Sequence, residues 1–120
     1  MTYCFDLDGT ICSDTQGDYD AAEPFPEIVA SINQLHREGH HILIFTARGS
    51  GTGRDWRGVT ERQLTEWGVS YHYLFFGKPA ADVYIDDKAV NISEFRLAKL
   101  GMLSSGTARA IFPPFPSEKK

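Results

Sequence analysis

The stretch Cys4-Phe5-Asp6-Leu7-Asp8-Gly9-Thr10 decides the fold, because an apolar run ends there in two aspartates and a glycine. In an extended strand, side chains two residues apart point the same way, so Asp6 and Asp8 leave the strand end together. Two carboxylates at this spacing repel each other unless a cation lies between them or one takes a proton. Hard divalent cations such as Mg²⁺ prefer oxygen ligands of this kind. The stretch therefore predicts either a cation site at the end of a strand or an ordinary acidic turn.

The length, the net charge and the apolar runs of the chain exclude several classes of protein. At 120 residues, the chain is expected to form one domain with a real core. Its net charge of -4 gives no electrostatic case for nucleic acid or for an anionic membrane surface. No apolar run approaches the ~20 residues that span a bilayer, and the amino terminus lacks a signal-peptide pattern. We therefore expect a cytoplasmic protein whose Cys4 and Cys12 are reduced.

Apolar runs and helical patterns alternate along the rest of the chain. In the first half of the chain we expect a polar flap at Cys12–Glu23, a helix from Pro26 to Gly39, a strand at Ile42–Phe45 and a mobile loop at Gly49–Gly58. In the second half we expect a helix at about Val59–Trp67, strands at Tyr71–Phe76 and Asp82–Asp87, and a helix capped by Ser93 and ended by Gly101. This alternation predicts a three-layer α/β/α sandwich with a mainly parallel, Rossmann-like sheet over residues 1–102.

Polar residues follow the carboxyl end of several of these strands. They are Asp6, Asp8, Thr46, Lys78, Asp86 and Asp87. Ligands bind at this edge of open parallel sheets, so turn chemistry alone does not explain why these polar residues all follow the carboxyl ends of strands. Taken singly, each residue could equally end a strand or lie in a solvated turn.

In this order, the D-x-D-G-T stretch, Thr46, Lys78 and the acidic pair Asp86-Asp87 resemble the haloacid dehalogenase (HAD) superfamily of phosphatases. The resemblance covers Tyr3 to about Ala89. The chain has no room for the cap domain that many relatives carry, so it looks like a capless member. The segments F-T-A-R at 45–48 and Y-I-D-D-K-A at 84–89 look most like small capless phosphatases linked to capsule and surface-polysaccharide biosynthesis.

The resemblance implies a role for each matching residue. Asp6 would attack phosphorus and form an aspartyl-phosphate, and Asp8 would protonate the leaving oxygen and then activate water. Mg²⁺ would be held by the Asp6 side chain, the Asp8 carbonyl oxygen and Asp86, with Asp87 in support directly or through water. Thr46 and Lys78 would hold the phosphoryl oxygens.

We expect the organic part of the substrate to be bound by residues at the end of the second strand and in the loop that follows it. These are Thr46, Ala47, Arg48, Arg54, Asp55, Trp56 and Arg57. An indole suits stacking on a sugar or base, and guanidinium groups suit a second anionic group. An equally weighted alternative is that they are solvated loop residues. The expected substrate is a sugar phosphate or a similar small phosphorylated metabolite.

Several alternatives stay open. The same first half-reaction would serve a phosphotransferase, and a receiver-like signalling domain also uses a phospho-accepting aspartate, although its acidic pair comes first along the chain. A non-catalytic scaffold is a third alternative. The short Phe76–Val83 connection puts the regularity of the third strand in question, because parallel crossovers normally need a dozen or more residues.

The tail at 103–120 carries Ile111, Phe112 and Phe115 among its prolines, so it is expected to pack. It could cover its own domain, which is the favoured alternative, or dock on a neighbouring subunit of a homo-oligomer.

Overall fold

The computed structural model describes residues 1–101 and 111–112 of the chain. The elements are β1 (Thr2–Phe5), a short 3-10 helix (Tyr19–Ala21), α1 (Pro26–Arg37), β2 (His41–Thr46), α2 (Arg57–Glu66), β3 (Tyr73–Phe76) and α3 (Ile92–Lys99). The chain divides into two units, Met1–Asp82 and Val83–Lys120. None of the helices in the described ranges is long and apolar enough to span a bilayer.

The first unit is built on a parallel sheet with strand order β1-β2-β3. Phe5 pairs with Ile44, and Ile44 pairs with Leu74, so the carboxyl ends of all three strands reach the same edge. The predicted α/β fold with a parallel sheet is therefore confirmed. The polar residues that follow β1 and β2 lie at this edge, as the alternation of elements predicts.

Helix α1 supplies much of the core under the sheet. Pro26 occupies its first turn, where the missing N–H costs nothing, and Gly39 follows its end at a φ of +92°. The predicted apolar face is confirmed, since Ile28, Val29, Ile32 and Leu35 are buried. Each such side chain contributes roughly 1.5–3 kcal/mol when it is fully buried.

Strand β2 has one buried face and one half-buried face. Ile42, Ile44 and Thr46 are buried, whereas the alternate residues keep part of their surface in water. A continuous apolar run such as Ile42–Phe45 is typical of a strand covered on both faces, whereas in the described residues only one face of β2 is fully buried. Period-two alternation of burial is instead typical of a sheet with one well-packed side.

The third strand forms and the predicted fourth strand does not. Strand β3 begins at Tyr73, two residues later than expected. Residues 82–87 are assigned to no strand, and their side chains are exposed; Ile85 is 95% exposed. Six residues separate Phe76 from Val83, fewer than the dozen or so that a parallel crossover needs, which explains why this apolar run is not a strand.

Helix α2 starts two residues earlier than predicted and ends one residue earlier, at Glu66. It buries Leu64 as expected, but Trp67 is only half-buried. The remaining buried residues of this helix are the polar side chains Thr60 and Gln63. Buried polar groups require hydrogen-bond partners, and the partner of these two lies at the edge of the sheet.

The second unit contains helix α3. Asn91 is its N-cap, with Oδ1 accepting from the Ser93 backbone N–H at 2.9 Å, so the predicted cap at Ser93 is two residues too late. Phe95 is buried, Ile111 is also buried, and the Phe112 ring lies 5.2 Å from the Phe95 ring. The other residues of the tail, at 103–110 and 113–120, lie outside the described ranges, so the packing of the tail stays a prediction.

The four histidines lie at the amino ends of the strands. His41 begins β2, and its ring stacks on His72 at 4.2 Å, which in turn stacks on His36 at 4.8 Å. His72 Nδ1 accepts the Ile42 N–H at 3.0 Å, and His40 Nδ1 lies 2.9 Å from the amino-terminal nitrogen. His40 and His41 are thus polar residues at the entry of β2.

Candidate active site

A tight turn directly after β1 orients the two leading aspartates. The Leu7 carbonyl accepts the backbone N–H groups of Thr10, Ile11 and Cys12 at 3.1, 2.8 and 3.3 Å. Gly9 has a φ of +86°, in the left-handed region that favours glycine. The D-x-D-G-T stretch therefore folds as a strand end and a single turn, with Asp6 and Asp8 on either side of Leu7.

Asp6 lies beside two hydrogen-bond donors. Its Oδ1 is 3.3 Å from Lys78 Nζ, and its Oδ2 accepts the Thr10 hydroxyl at 3.1 Å. The Asp6 side chain is 35% exposed, so it remains open to a ligand from solution. The structure thus brings together two predicted residues that are 72 positions apart, and it adds Thr10, whose role the sequence analysis did not assign.

The backbone fixes Lys78 at this edge. Its N–H donates to the Thr46 carbonyl at 3.2 Å, which extends the β2–β3 pairing by one bond. Its carbonyl accepts the Ser50 hydroxyl at 2.7 Å. Because both hydrogen bonds involve the backbone of Lys78, they fix the position of this residue independently of the contacts that its side chain makes.

Thr46 ends β2 and is almost fully buried, at 1% exposure. Its hydroxyl accepts the Arg48 backbone N–H at 3.1 Å. A hydroxyl that accepts one bond still has its own proton to donate. Thr46 therefore suits the predicted role of a donor at the sheet edge, and Ala47, half-buried, separates it from Arg48.

Arg48 contacts Asp8 and is not available as the substrate-binding residue that the sequence predicted. Its side chain is fully buried, with Nη2 at 2.8 Å from Asp8 Oδ1 and Nε at 2.9 Å from Asp8 Oδ2. Its Nη1 donates to Thr60 Oγ1 at 3.0 Å and to Gln63 Oε1 at 2.6 Å. A bidentate pair of this kind fixes both the position and the plane of a carboxylate. Arg48 is therefore a positioning residue for Asp8.

Two further residues enclose this pair. The Arg48 guanidinium lies 4.7 Å from the Tyr19 ring, and Gln63 Nε2 donates to the Tyr19 carbonyl at 2.7 Å. The buried Cys12 thiol donates to Asp8 Oδ1 at 3.5 Å. Burial, with Asp8 nearby, raises the pKa of Cys12 to about 12, and burial also raises the pKa of Tyr19. Both groups are therefore neutral donors at ordinary pH.

The sequence contains a signal for part of this network. Thr60, Gln63 and Leu64 share one helical face by their i, i+3, i+4 spacing, so two polar residues lie on the side that Leu64 buries. Polar residues on a buried face predict a buried polar partner. The partner itself is 12 and 15 positions away from them and cannot be identified from spacing.

Trp56 is also placed differently from the prediction. It is buried at 8% exposure, with the Arg54 guanidinium 4.3 Å from its ring and the Tyr19 ring against it edge-on at 4.8 Å. An indole covered in this way offers no free face for a sugar or base. Arg54, Asp55 and Arg57 are exposed, as a loop that contacts substrate requires.

The predicted metal ligands fall in both units. Asp6 and Asp8 lie in Met1–Asp82, and Asp86 and Asp87 lie in Val83–Lys120. The Asp8 carbonyl oxygen accepts none of the hydrogen bonds found among the described residues, so it is open to a hard cation. No group of three His, Cys, Asp or Glu residues in the described ranges is arranged to hold a metal.

In the second unit, Asp86 Oδ1 accepts the Lys88 N–H at 2.7 Å. This hydrogen bond lowers the pKa of the exposed Asp86 carboxyl. Asp86 is therefore ionised at neutral pH, as a metal ligand must be.

Comparisons with known proteins agree with the fold. No family model matches the sequence, and no curated protein matches it. The chain is similar to the crystal structure of an MCSG target from Vibrio cholerae, with 25% identity over 99% of this chain and 98% of that one and a TM-score of 0.73.

Two structures of the Pnkp1/Rnl/Hen1 RNA repair complex share 20% and 19% identity over 72% and 82% of this chain, with TM-scores of 0.52 and 0.51. In each case the match spans 30% of the other chain. The chain thus has an α/β fold found at nearly full length in the bacterial protein and as a part of the larger ones.

Proposed function

We propose that the protein is a capless HAD-type phosphatase that hydrolyses a small phosphomonoester in a Mg²⁺-dependent reaction through an aspartyl-phosphate. The observation that carries the proposal is the Asp6–Lys78 pair, 3.3 Å apart at the carboxyl edge of a parallel sheet. A solvent-accessible carboxylate with a cation beside it can approach a phosphate whose own charge would otherwise repel it. The resemblance of D-x-D-G-T, Thr46 and Lys78 to that superfamily supports the same reading.

The first step forms a bond between an Asp6 oxygen and phosphorus while the bond from phosphorus to the leaving oxygen breaks. Asp8, which enters this step as the protonated acid, delivers its proton to that leaving oxygen, and Arg48 directs the carboxyl group by two hydrogen bonds. In the second step water attacks phosphorus, Asp8 takes a proton from the water, and the Asp6 carboxylate is released. Lys78 and the Thr46 hydroxyl hold phosphoryl oxygens throughout.

The Asp6 carboxylate and the open Asp8 carbonyl are oxygen groups of the kind that a hard cation prefers, and they would hold Mg²⁺. The resemblance to the HAD superfamily implies Asp86 as a further oxygen ligand, with Asp87 in support. When bound, the cation supplies positive charge to the phosphoryl oxygens.

The F-T-A-R and Y-I-D-D-K-A segments support a sugar phosphate of polysaccharide biosynthesis as substrate, with action in the cytoplasm.

The test is release of phosphate from p-nitrophenyl phosphate, with and without Mg²⁺. Activity should require the cation, and Asp6→Asn should abolish both turnover and the acid-stable phosphoenzyme, because the nucleophile is lost. Asp18→Asn is the matched control, since Asp18 is exposed and lies outside the site. Full activity after exhaustive chelation, or near-normal turnover by Asp6→Asn, would contradict the proposal.

A further inference from the structure

We infer that a pocket beside the phosphoryl site binds a second anionic group of the substrate, a carboxylate or a second phosphate. This inference rests on the proposed phosphatase function and specifies the class of substrate. The pocket is formed by the loop after β2, the start of α2 and the end of β3, all within the first unit, and has a volume of about 240 Å³. Its two exposed cations are Arg54 and Arg57.

The pocket adjoins Lys78. Phe76 and Gly77, which line it, immediately precede that lysine. Ser50, another lining residue, donates its hydroxyl to the Lys78 carbonyl at 2.7 Å, so the loop and the lysine segment form one wall. We therefore place the second anionic group of a ligand in this pocket when its phosphoryl group lies at Asp6 and Lys78.

The two arginines are held by aromatic rings. The Arg54 guanidinium lies 4.3 Å from the Trp56 ring, and the Arg57 guanidinium lies 4.7 Å from the Phe76 ring. A guanidinium stacked on a ring keeps the N–H groups of its edge for a planar or tetrahedral anion. Arg48 also lines the pocket, but its guanidinium is committed to Asp8, Thr60 and Gln63.

Asp55 is the acidic residue of the pocket lining, against the two exposed arginines Arg54 and Arg57. Arg57 Nη1 is 3.7 Å from Glu61, and both side chains are about half exposed, so this pair is weak. Asp55 Oδ1 accepts the Arg57 backbone N–H at 3.0 Å. Among the residues that the structure describes, Arg54 forms no ion pair, and an anionic group would give it one.

The size and the walls of the pocket limit what it can hold. Pockets that enclose a drug-sized ligand usually measure about 300–1,000 Å³, so this one suits a charged group on a short carbon chain. The buried Trp56 has no free face for a nucleobase. The pocket therefore favours compact phosphomonoesters with a second charge.

Matched pairs of substrates test this directly. We would compare kcat/KM for 6-phosphogluconate with that for sorbitol 6-phosphate, and for fructose 1,6-bisphosphate with that for fructose 6-phosphate. The first pair differs at a carboxylate and the second at a phosphate, so they separate the two anions. The wild type should prefer the member with the second anion by about tenfold or more in at least one pair, which is what one charge-assisted hydrogen bond provides.

Arg54→Gln and Arg57→Gln should each reduce that preference toward unity. Arg62→Gln, an exposed arginine of α2 outside the pocket, should leave the ratio unchanged. A wild type with no preference in either pair, or a preference that survives in both pocket variants, would overturn the inference.

A binding measurement separates this inference from the proposed reaction. Calorimetry with 3-phosphonopropionate and with propylphosphonate needs no turnover, and the carboxylate-bearing compound should bind more tightly to the wild type but not to Arg54→Gln. If no ester is hydrolysed while this difference persists, the phosphatase is wrong and the pocket stands. Equal affinities in the wild type, both for this pair and for propane-1,3-bisphosphonate against propylphosphonate, would remove the pocket whatever the activity.

Discussion

Arg48 carries four side-chain hydrogen bonds between Asp8, Thr60 and Gln63, and this determines what its replacement should do. Arg48→Lys keeps the charge but cannot reproduce the bidentate fork. We expect kcat to fall by about a hundredfold, the lower end of what acid–base help contributes, with KM nearly unchanged. The measurement is steady-state kinetics on a series of aryl phosphates.

The leaving-group dependence identifies the mechanism of that loss. A misdirected Asp8 should harm esters with poor leaving groups more than p-nitrophenyl phosphate, whose leaving oxygen needs little protonation. Arg62→Lys, on the exposed side of α2, is the control. An equal loss for all leaving groups would point to general destabilisation and against a positioning role.

Cys12 and Cys4 should differ in reactivity. Cys12 is buried with a pKa of about 12, so almost none of it is thiolate at pH 8, whereas Cys4 is exposed. Iodoacetamide should therefore modify the native protein once, at Cys4, and the denatured protein twice, as read by peptide mass spectrometry. Equal labelling of the two residues in the native protein would show that Cys12 is not enclosed.

The sequence predicted the turn after β1 but not the contacts of Arg48, for a physical reason. The D-x-D-G-T spacing dictates a turn and a shared direction for two carboxylates, which are local properties of the backbone. Whether Arg48 points outward to a ligand or inward depends on Asp8, which is 40 positions away, and on a polar face of α2. A guanidinium suits either role, so residue type alone does not decide between them.

In the loop after β2, replacement of Gly49 or Gly53 by alanine tests whether the loop is rigid. Gly49 has a φ of +81°, and a Cβ added there would meet the Arg54 carbonyl oxygen at 2.2 Å. Gly53 has a φ of +74° but nothing within 4 Å of an added Cβ. Both alanine variants carry about 1–2 kcal/mol of left-handed strain, and only Gly49→Ala adds a clash with backbone.

We therefore expect Gly49→Ala to lower the melting temperature more than Gly53→Ala and to weaken the preference for a second anion. Thermal unfolding and the substrate ratios above are the measurements. Equal effects of the two substitutions would mean that the loop can shift without cost. Such a result would also argue against a preformed pocket.

The strands show which predictions of secondary structure hold and which do not. Apolar runs separated by a helix predicted the parallel β1–β2–β3 sheet, because each connection is long enough for a crossover. The run at 82–85 has the same composition, yet the connection before it is too short, and the structure leaves it exposed. Composition indicates that a segment can be a strand, and the length of the preceding connection determines whether it reaches a parallel partner.

The predicted metal ligands include Asp86 and Asp87 of the second unit, and their contribution to Mg²⁺ binding can be tested separately from that of Asp6 and Asp8. Asp86→Asn should raise the Mg²⁺ concentration needed for half-maximal activity by about ten- to a hundredfold, the typical effect of perturbing a metal site. Asp82→Asn is the matched control, an exposed aspartate of the adjacent sequence. An unchanged Mg²⁺ dependence in Asp86→Asn would remove this residue from the ligand set.

The position of the histidines has a consequence for chemical mapping of the protein. All four imidazoles lie at the rim opposite Asp6 and Lys78, three of them in one stack. Carbethoxylation by diethyl pyrocarbonate should therefore modify histidine while turnover continues, with the adducts located by mass spectrometry. Inhibition that tracks modification of any one imidazole would contradict this arrangement. If turnover continues, the proton transfers at the rim that holds Asp6 and Lys78 need no imidazole, and the modified histidines label the opposite rim of the sheet.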